Sequence, residues 1–150
     1  MVSLVKIVEW PGPAMDPLVE EATQEGFCFM SRLKDDWLCG ANQFSGQGEA
    51  LFGAFEAGRL VAIGGINRQS DTCGRLRRVY VIRTHRRTGI GRKLVRHLLD
   101  FASNYYTRVV LRTDSEAAGR FYAALGFFPE QAEGGSTHVL EIRNMLKTTL

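Results

Sequence analysis

The chain has 150 residues, 45% of them hydrophobic and 23% charged, with a formal net charge of +3, as expected of a globular protein that closes its core without staples. Three scattered cysteines, Cys28, Cys39 and Cys73, make no CxxC pair; they read as reduced thiols in a cytoplasmic protein and exclude a disulfide framework and a zinc site. No apolar run nears membrane-spanning length, and Pro11 and Pro13 break the opening MVSLVKIVEW too soon for a secretory signal.

In chain order, SLVKIVEW alternates loosely and predicts a first strand. Pro17 to about Glu25 reads as a helix with Asp16 as N-cap and Pro17 at its first position. The stretch from there to about Ala50 is rich in Gly, Ser, Asn and Gln and predicts a loop or short helix. ALFGAFEAGRLVAIGGINR is a hairpin turning near Glu56, Ala57 and Gly58, and LRRVYVI is another strand, with Arg77 and Arg78 expected on opposite sides. The period then lengthens. In GIGRKLVRHLLDFA the apolar Ile90, Leu94, Val95, Leu98, Leu99 and Ala102 recur at helical spacing, opposite Arg92, Lys93, Arg96, His97 and Asp100. RVVLRT is a short strand. DSEAAGRFYAALG is a helix that Thr113, Asp114 or Ser115 caps, with Ala118, Phe121, Tyr122 and Leu125 on one face and Gly126 as left-handed C-cap. HVLEIR is a late strand. Neither repeat nor linker interrupts residues 1–150, which predict a single mixed α/β domain.

Charge is unevenly placed. Residues 1–74 hold five Lys/Arg against ten Asp/Glu, whereas residues 75–150 hold fourteen against six. The basic half contains RTHRRTGIG (83–91), where a strand ends in a glycine turn that opens a helix. Such a turn leaves several backbone N–H groups unpaired at the positive end of the helix dipole, a site for phosphate. Gly89 and Gly91 let the anion approach the backbone, and Arg86, Arg87 and Arg92 add charge. The P-loop pattern GxxxxGK[ST] is absent, and a dinucleotide fingerprint would need glycine where Leu94 stands. By spacing alone this turn reads equally as a helix start inside a surface arginine cluster.

RRTGIG resembles the Arg/Gln-x-x-Gly-x-Gly/Ala motif of the GNAT superfamily of N-acetyltransferases. The likeness extends over LRRVYVIRTHRRTGIGRKLVRHLLDFA and DSEAAGRFYAALGFFPE, together roughly residues 75–130. The resemblance implies an α+β fold: a mixed, mostly antiparallel, splayed sheet flanked by helices. It also implies acetyl-CoA as cosubstrate, with no metal, lying between strands 76–82 and 107–112. Backbone amides from Arg87 through Thr88, Gly89, Ile90, Gly91 and Arg92 would hold the pyrophosphate, with Arg86 beside them. Tyr80, Val81 and Ile82 would pair with the pantetheine arm, and Ser115 would contact the coenzyme. Tyr122 matches the tyrosine that protonates the departing thiolate; by spacing alone it would be a core aromatic.

Two positions depart from the family pattern. Arg75 stands where many relatives place a glutamate base, and Ser115 where many place asparagine. The base is left open among a water chain, Asp114, His138 and Glu141, while His85 and His97 read as surface histidines. The partner implied is a small-molecule or peptide amine, not nucleic acid or a membrane, and the resemblance admits a homodimer. The alternative is a non-catalytic module that holds coenzyme A as a sensor. Asp35, Asp36 and Trp37, in the acidic half, are candidates for drawing in a cationic acceptor; their bland reading is a solvated acidic turn.

Overall fold

Strands and helices alternate through residues 1–142, the part of the chain that the computed structural model describes. The elements are β1 (Val2–Lys6), α1 (Asp16–Gln24), α2 (Phe29–Cys39), β2 (Ala50–Glu56), β3 (Arg59–Arg68), β4 (Cys73–Val81), α3 (Ile90–Ala102), β5 (Arg108–Leu111), α4 (Glu116–Ala124), β6 (Phe128–Ala132) and β7 (Ser136–Glu141). The strands form one sheet in the order β1-β2-β3-β4-β5-β7-β6. Every neighbouring pair is antiparallel except β4 and β5, which run parallel. This is the splayed, mostly antiparallel α+β sheet that the sequence predicts.

Local chemistry explains the central elements. Ala57 and Gly58 both take positive φ, at 51° and 76°, between the paired Glu56 and Arg59, the two-residue turn that matches strand twist. The apolar stripe of α3 is buried at all six positions. It lies on the sheet at Gly64, where an added Cβ would stand 3.0 Å from Leu98 and 3.5 Å from Leu94. Gly65, next along β3, faces the other way and meets the ring of Phe44, itself 3% exposed. The sheet therefore carries α3 on one face and the 40–49 segment with α1 and α2 on the other.

Four expectations are corrected. The first helix begins at Asp16 with Met15 at the cap, and the Asp16 side chain makes no capping bond; it lies 3.7 Å from Lys34 Nζ instead. The stretch read as loop or short helix carries α2, eleven residues closed by Gly40 at φ 80°. Phe128–Ala132 adds an edge strand, and β7 starts at Ser136, two residues early; Arg143, the last residue of HVLEIR, lies outside the described residues.

The fourth correction concerns β4. Tyr80 pairs with Ile63 and Arg77 with Gly65, so β4 holds one residue more than β3 across this interval, a β-bulge. Arg78 takes φ 60° there, a strained region for a side chain of its size. Gly74 faces Tyr106, and Val79 faces the α3 side at Gly64. Alternation from Gly74 then turns Arg75 and Arg77 to the α2 face. The bulge adds Arg78 to the same face, where it pairs with Asp36 of α2 at 3.7 Å. Arg77 and Arg78 thus share a face.

Gly65→Ala should test the seating of Phe44. The new methyl meets a buried ring that must shift to admit it, so urea unfolding should show a loss of about 1–3 kcal/mol. Stability within error of the parent would mean that Phe44 does not hold the 40–49 segment to the sheet.

Candidate functional site

The site begins where β4 leaves β5. The two pair only through Cys73, Gly74 and Arg75 against Arg108, Val109 and Val110, and β5 ends at Leu111 while β4 continues to Val81. A wedge-shaped gap opens along residues 76–81 of β4. Ile82 donates its N–H to Val61 O at 3.0 Å. Antiparallel alternation therefore points the N–H and C=O of Val81 away from β3 and into the gap.

Past the strand, Thr88 Oγ1 donates to His85 O, and Arg87 and Gly89 take φ 62° and 88°. Gly89 caps α3 with no side-chain bond to the helix, and Lys93 N makes the first helical bond, to Gly89 O at 3.0 Å. The N–H groups of Ile90, Gly91 and Arg92 consequently lack intrahelical partners and point out of the helix start. Arg87, Thr88, Gly89 and Arg92 are exposed, while the Ile90 side chain anchors the turn in the core. A Cβ on Gly91 would stand 3.4 Å from both Val81 Cγ2 and Phe121 Cζ. That one glycine brings the bare helix start, the free edge of β4 and α4 together.

Helix α4 supplies the tyrosine. Of the three offered caps, Ser115 is the one used: its Oγ accepts from Ala118 N at 3.2 Å, leaving its own proton free to donate. Tyr122 packs edge-on between Phe121 and Phe127, with centroids 5.0 and 5.6 Å away. The residue is 9% exposed. Its hydroxyl has no hydrogen-bond partner among the described residues. Burial pushes its pKa well above the ordinary tyrosine value, so the phenol holds its proton at neutral pH.

Two expected side chains turn away from the bare amides. Arg86 grips Glu25, the C-cap of α1, with two nitrogens, at 2.9 and 2.6 Å, donates Nε to Val81 O at 3.0 Å and lies over the Tyr80 ring. The Tyr80 hydroxyl is shared between Glu21 Oε1, at 2.7 Å, and Glu25 Oε1. Glu21 also accepts from Arg83 N at 2.8 Å. These carboxylates, which sequence reasoning does not single out, fasten α1 to the strand end and its turn. Their partners lie about sixty residues away, beyond any local signal.

The acidic candidates separate. Trp37 is 5% exposed, 6.0 Å from the ring of Trp10, and has no face for a substrate. Asp36 is held by Arg78, and only Asp35 is freely solvated. His85 is half-buried on Glu56 at 3.1 Å, and His97 stands edge-on to Phe52 at 4.6 Å, so neither is simply a surface group. Among the base candidates, Asp114 is exposed near Arg112 and Glu141 lies 3.9 Å from Arg108. His138 lies against α4 at Gly119, one turn before Tyr122, with Nδ1 2.8 Å from Thr137 Oγ1. Cys28, Cys39 and Cys73 are free thiols, and burial pushes Cys73 up to about 11.

Comparison with known proteins bears on the family and the fold. The model of the acetyltransferase (GNAT) family matches residues 8–127. The N-alpha-acetyltransferase RimI of Mycobacterium tuberculosis is 38% identical over 78 residues; the match spans 50% of this chain and 49% of that protein, about half the relative's length. A crystal structure from Exiguobacterium sp. 255-15, described as an acetyltransferase, superposes with a TM-score of 0.89 at 31% identity over 100% of this chain and 99% of the other. PaiA N-acetyltransferase of Thermoplasma acidophilum, solved in complex with coenzyme A, gives 0.68 at 14% identity over 94% and 99%, a likeness of fold.

The Arg86 hydrogen bonds hold the Glu25 carboxyl at about 2, below its ordinary 4.5. A depressed folded-state pKa adds stability that is complete above the unfolded value and lost as pH falls through the folded one. Glu25→Gln should therefore cost about 1–2 kcal/mol at neutral pH, an amount moderated by solvent around the pair. The difference from the parent should shrink between about pH 4.5 and 2 in urea titrations. A gap that stays constant with pH would show that the ion pair is not its source.

Proposed function

The chain belongs to the acetyltransferase (GNAT) family, and from that premise we propose that it is an N-acetyltransferase moving the acetyl group of acetyl-CoA directly onto a primary amine. The observation that carries this reading is Gly91, packed between Val81 and Phe121. On this reading the bare amides of the α3 start, the gap-facing edge of β4 and Tyr122 of α4 serve one cleft. We read residues 1–150 as a single catalytic unit.

The cleft fits the coenzyme. The outward N–H groups of Ile90, Gly91 and Arg92, with Arg87 and Thr88 in the preceding turn, suit the two phosphates. Arg86 serves that turn by holding it to Glu25 and Val81. The Val81 N–H in the gap suits either the pantetheine amide or the oxygen of the reacting carbonyl. Tyr80 in β4 and Ile82 just past its end have buried side chains, and the Ile82 N–H is engaged by Val61. Ser115 retains a proton that a coenzyme oxygen could accept.

Acetyl-CoA supplies an activated thioester. The amine nitrogen forms a bond to its carbonyl carbon, the C–S bond breaks, and the electron pair leaves on sulfur. Strand N–H groups near Val81 stabilise the oxygen as it gains charge. Tyr122 donates its phenolic proton to the sulfur and recovers one from solvent. The proton lost by the amine passes to water or to His138. A Tyr122 hydroxyl with no partner among the described residues supports turnover over a coenzyme sensor.

Two substitutions separate binding from chemistry. Nothing lies within 4 Å of a Cβ built on Gly89, so Gly89→Glu fits sterically while placing a carboxylate on the anion site in a backbone region that costs about 1 kcal/mol. Calorimetry should show coenzyme A affinity lost in a folded protein; unchanged affinity would remove the turn from the site. Tyr122→Phe should keep coenzyme affinity and lower turnover in a thiol-release assay by roughly 10²–10⁴-fold. Wild-type turnover on the best acceptor would return Tyr122 to a packing role.

A further inference from the structure

The α2 face of β4 carries an arginine group that the coenzyme site does not use. Arg78 is drawn onto this face by the bulge, at φ 60° and with its side chain 11% exposed. A guanidinium has five N–H donors in a fixed fork. Among the described residues Arg78 has one ionic neighbour, Asp36 Oδ2 at 3.7 Å, beyond hydrogen-bonding distance. None of its nitrogens is sealed from solvent without a partner. Arg77 beside it, half-buried, and Arg32 on α2 have no carboxylate within ion-pair distance among the described residues. Burial and these cations together lower the hold of Arg78 on its proton.

A largely enclosed cation with one loose partner gains from a ligand that pairs with its fork. Bulges next to active sites re-aim side chains, and strain kept at one residue points to a task there. The bulge lies on the stretch of β4 that borders the gap. Its face is opposite α3, the helix that offers the anion turn. An amine approaching the cleft from the α2 side would meet the Arg78 fork.

We propose that Arg78 is a specificity-determining residue that receives a carboxylate of the acceptor in bidentate fashion, with Arg77 adding charge, and that the acceptor is a carboxylate-bearing amine. The inference rests on acetyl transfer in this cleft and adds the acceptor class. It replaces the cationic acceptor drawn to Asp35, Asp36 and Trp37, since Asp36 is held by Arg78 and Trp37 is buried. A free amino acid and a peptide with an acidic side chain near its N-terminus present the same group.

The test compares matched pairs in the thiol-release assay: free amino acids against their decarboxylated amines, and acidic peptides against their amide counterparts. Wild type should favour the carboxylate member of one pair by about 10- to 100-fold in kcat/KM, the range of a charge-assisted hydrogen bond. The pair that shows the preference identifies the source. Arg78→Gln should abolish the preference through KM while leaving the decarboxylated or amide member and coenzyme A affinity near wild type, and Arg78→Lys should restore part of it. Equal rates for both members of both pairs in wild type, with acetyl transfer intact, would overturn the inference and leave the proposed function standing. Absence of transfer to any amine, with coenzyme A bound, would overturn the proposed function and this inference with it. Should Arg78→Gln fail to fold, the wild-type comparison still decides.

Discussion

The parting of β4 from β5 is the constraint on which the site depends. Parallel strands held together along their whole length would satisfy each other's backbone groups and leave no cleft. Here pairing stops after three residues, and the rest of β4 is held only by β3. Right-handed twist carries the strands apart from there. The unpaired edge is a liability that proteins ordinarily cover; here it becomes one wall of the cleft, with α3 and α4 closing against it at Gly91. A side chain at Gly91 would push on Val81 and Phe121 together.

Two arginines eight residues apart show how partners, not residue type, decide what a charge does. Arg86 is supplied with both carboxylate oxygens of Glu25 and a strand carbonyl. Its fork is filled, so it holds α1 to the turn and has little left for a ligand. Arg78 has a single distant carboxylate and a more enclosed side chain. A half-buried fork whose donors are not taken by the described residues is open to a ligand, and the strained backbone beneath it is kept by strand pairing on either side of the bulge.

Periodicity made the frame legible. The six-residue stripe of α3, the hairpin around Ala57 and Gly58 and the left-handed Gly126 all follow from local chemistry. The helix α2 escapes because its polar flank, from Gly40 to Gly48, dominates the composition of that stretch. FPEQA escapes because its residues are mostly exposed and show no alternation. The bulge cannot be read from LRRVYVI, since an inserted residue is defined only against the partner strand. Arg86 was legible as a residue of the phosphate turn but not as the partner of Glu25, because that contact joins positions 61 residues apart. Tyr122 was legible as an aromatic on a buried face; that its hydroxyl meets no partner among the described residues depends on how α4 seats.

The unequal halves of the chain find their explanation in this pairing. Carboxylates of the acidic half meet basic side chains of the other half: Glu25 grips Arg86, Glu56 lies within hydrogen-bond distance of His85, and Asp36 lies 3.7 Å from Arg78. What remains beside the gap is positive: the bare amides of α3 at one end and, on the α2 face of β4, Arg77 with the loosely paired Arg78. Such a field bears on the absence of a glutamate at Arg75. An acceptor nitrogen must be neutral to attack, and nearby positive charge disfavours its ammonium form. On the reading proposed here, the cleft lowers the acceptor's pKa with fixed charge, so that water suffices to take the proton.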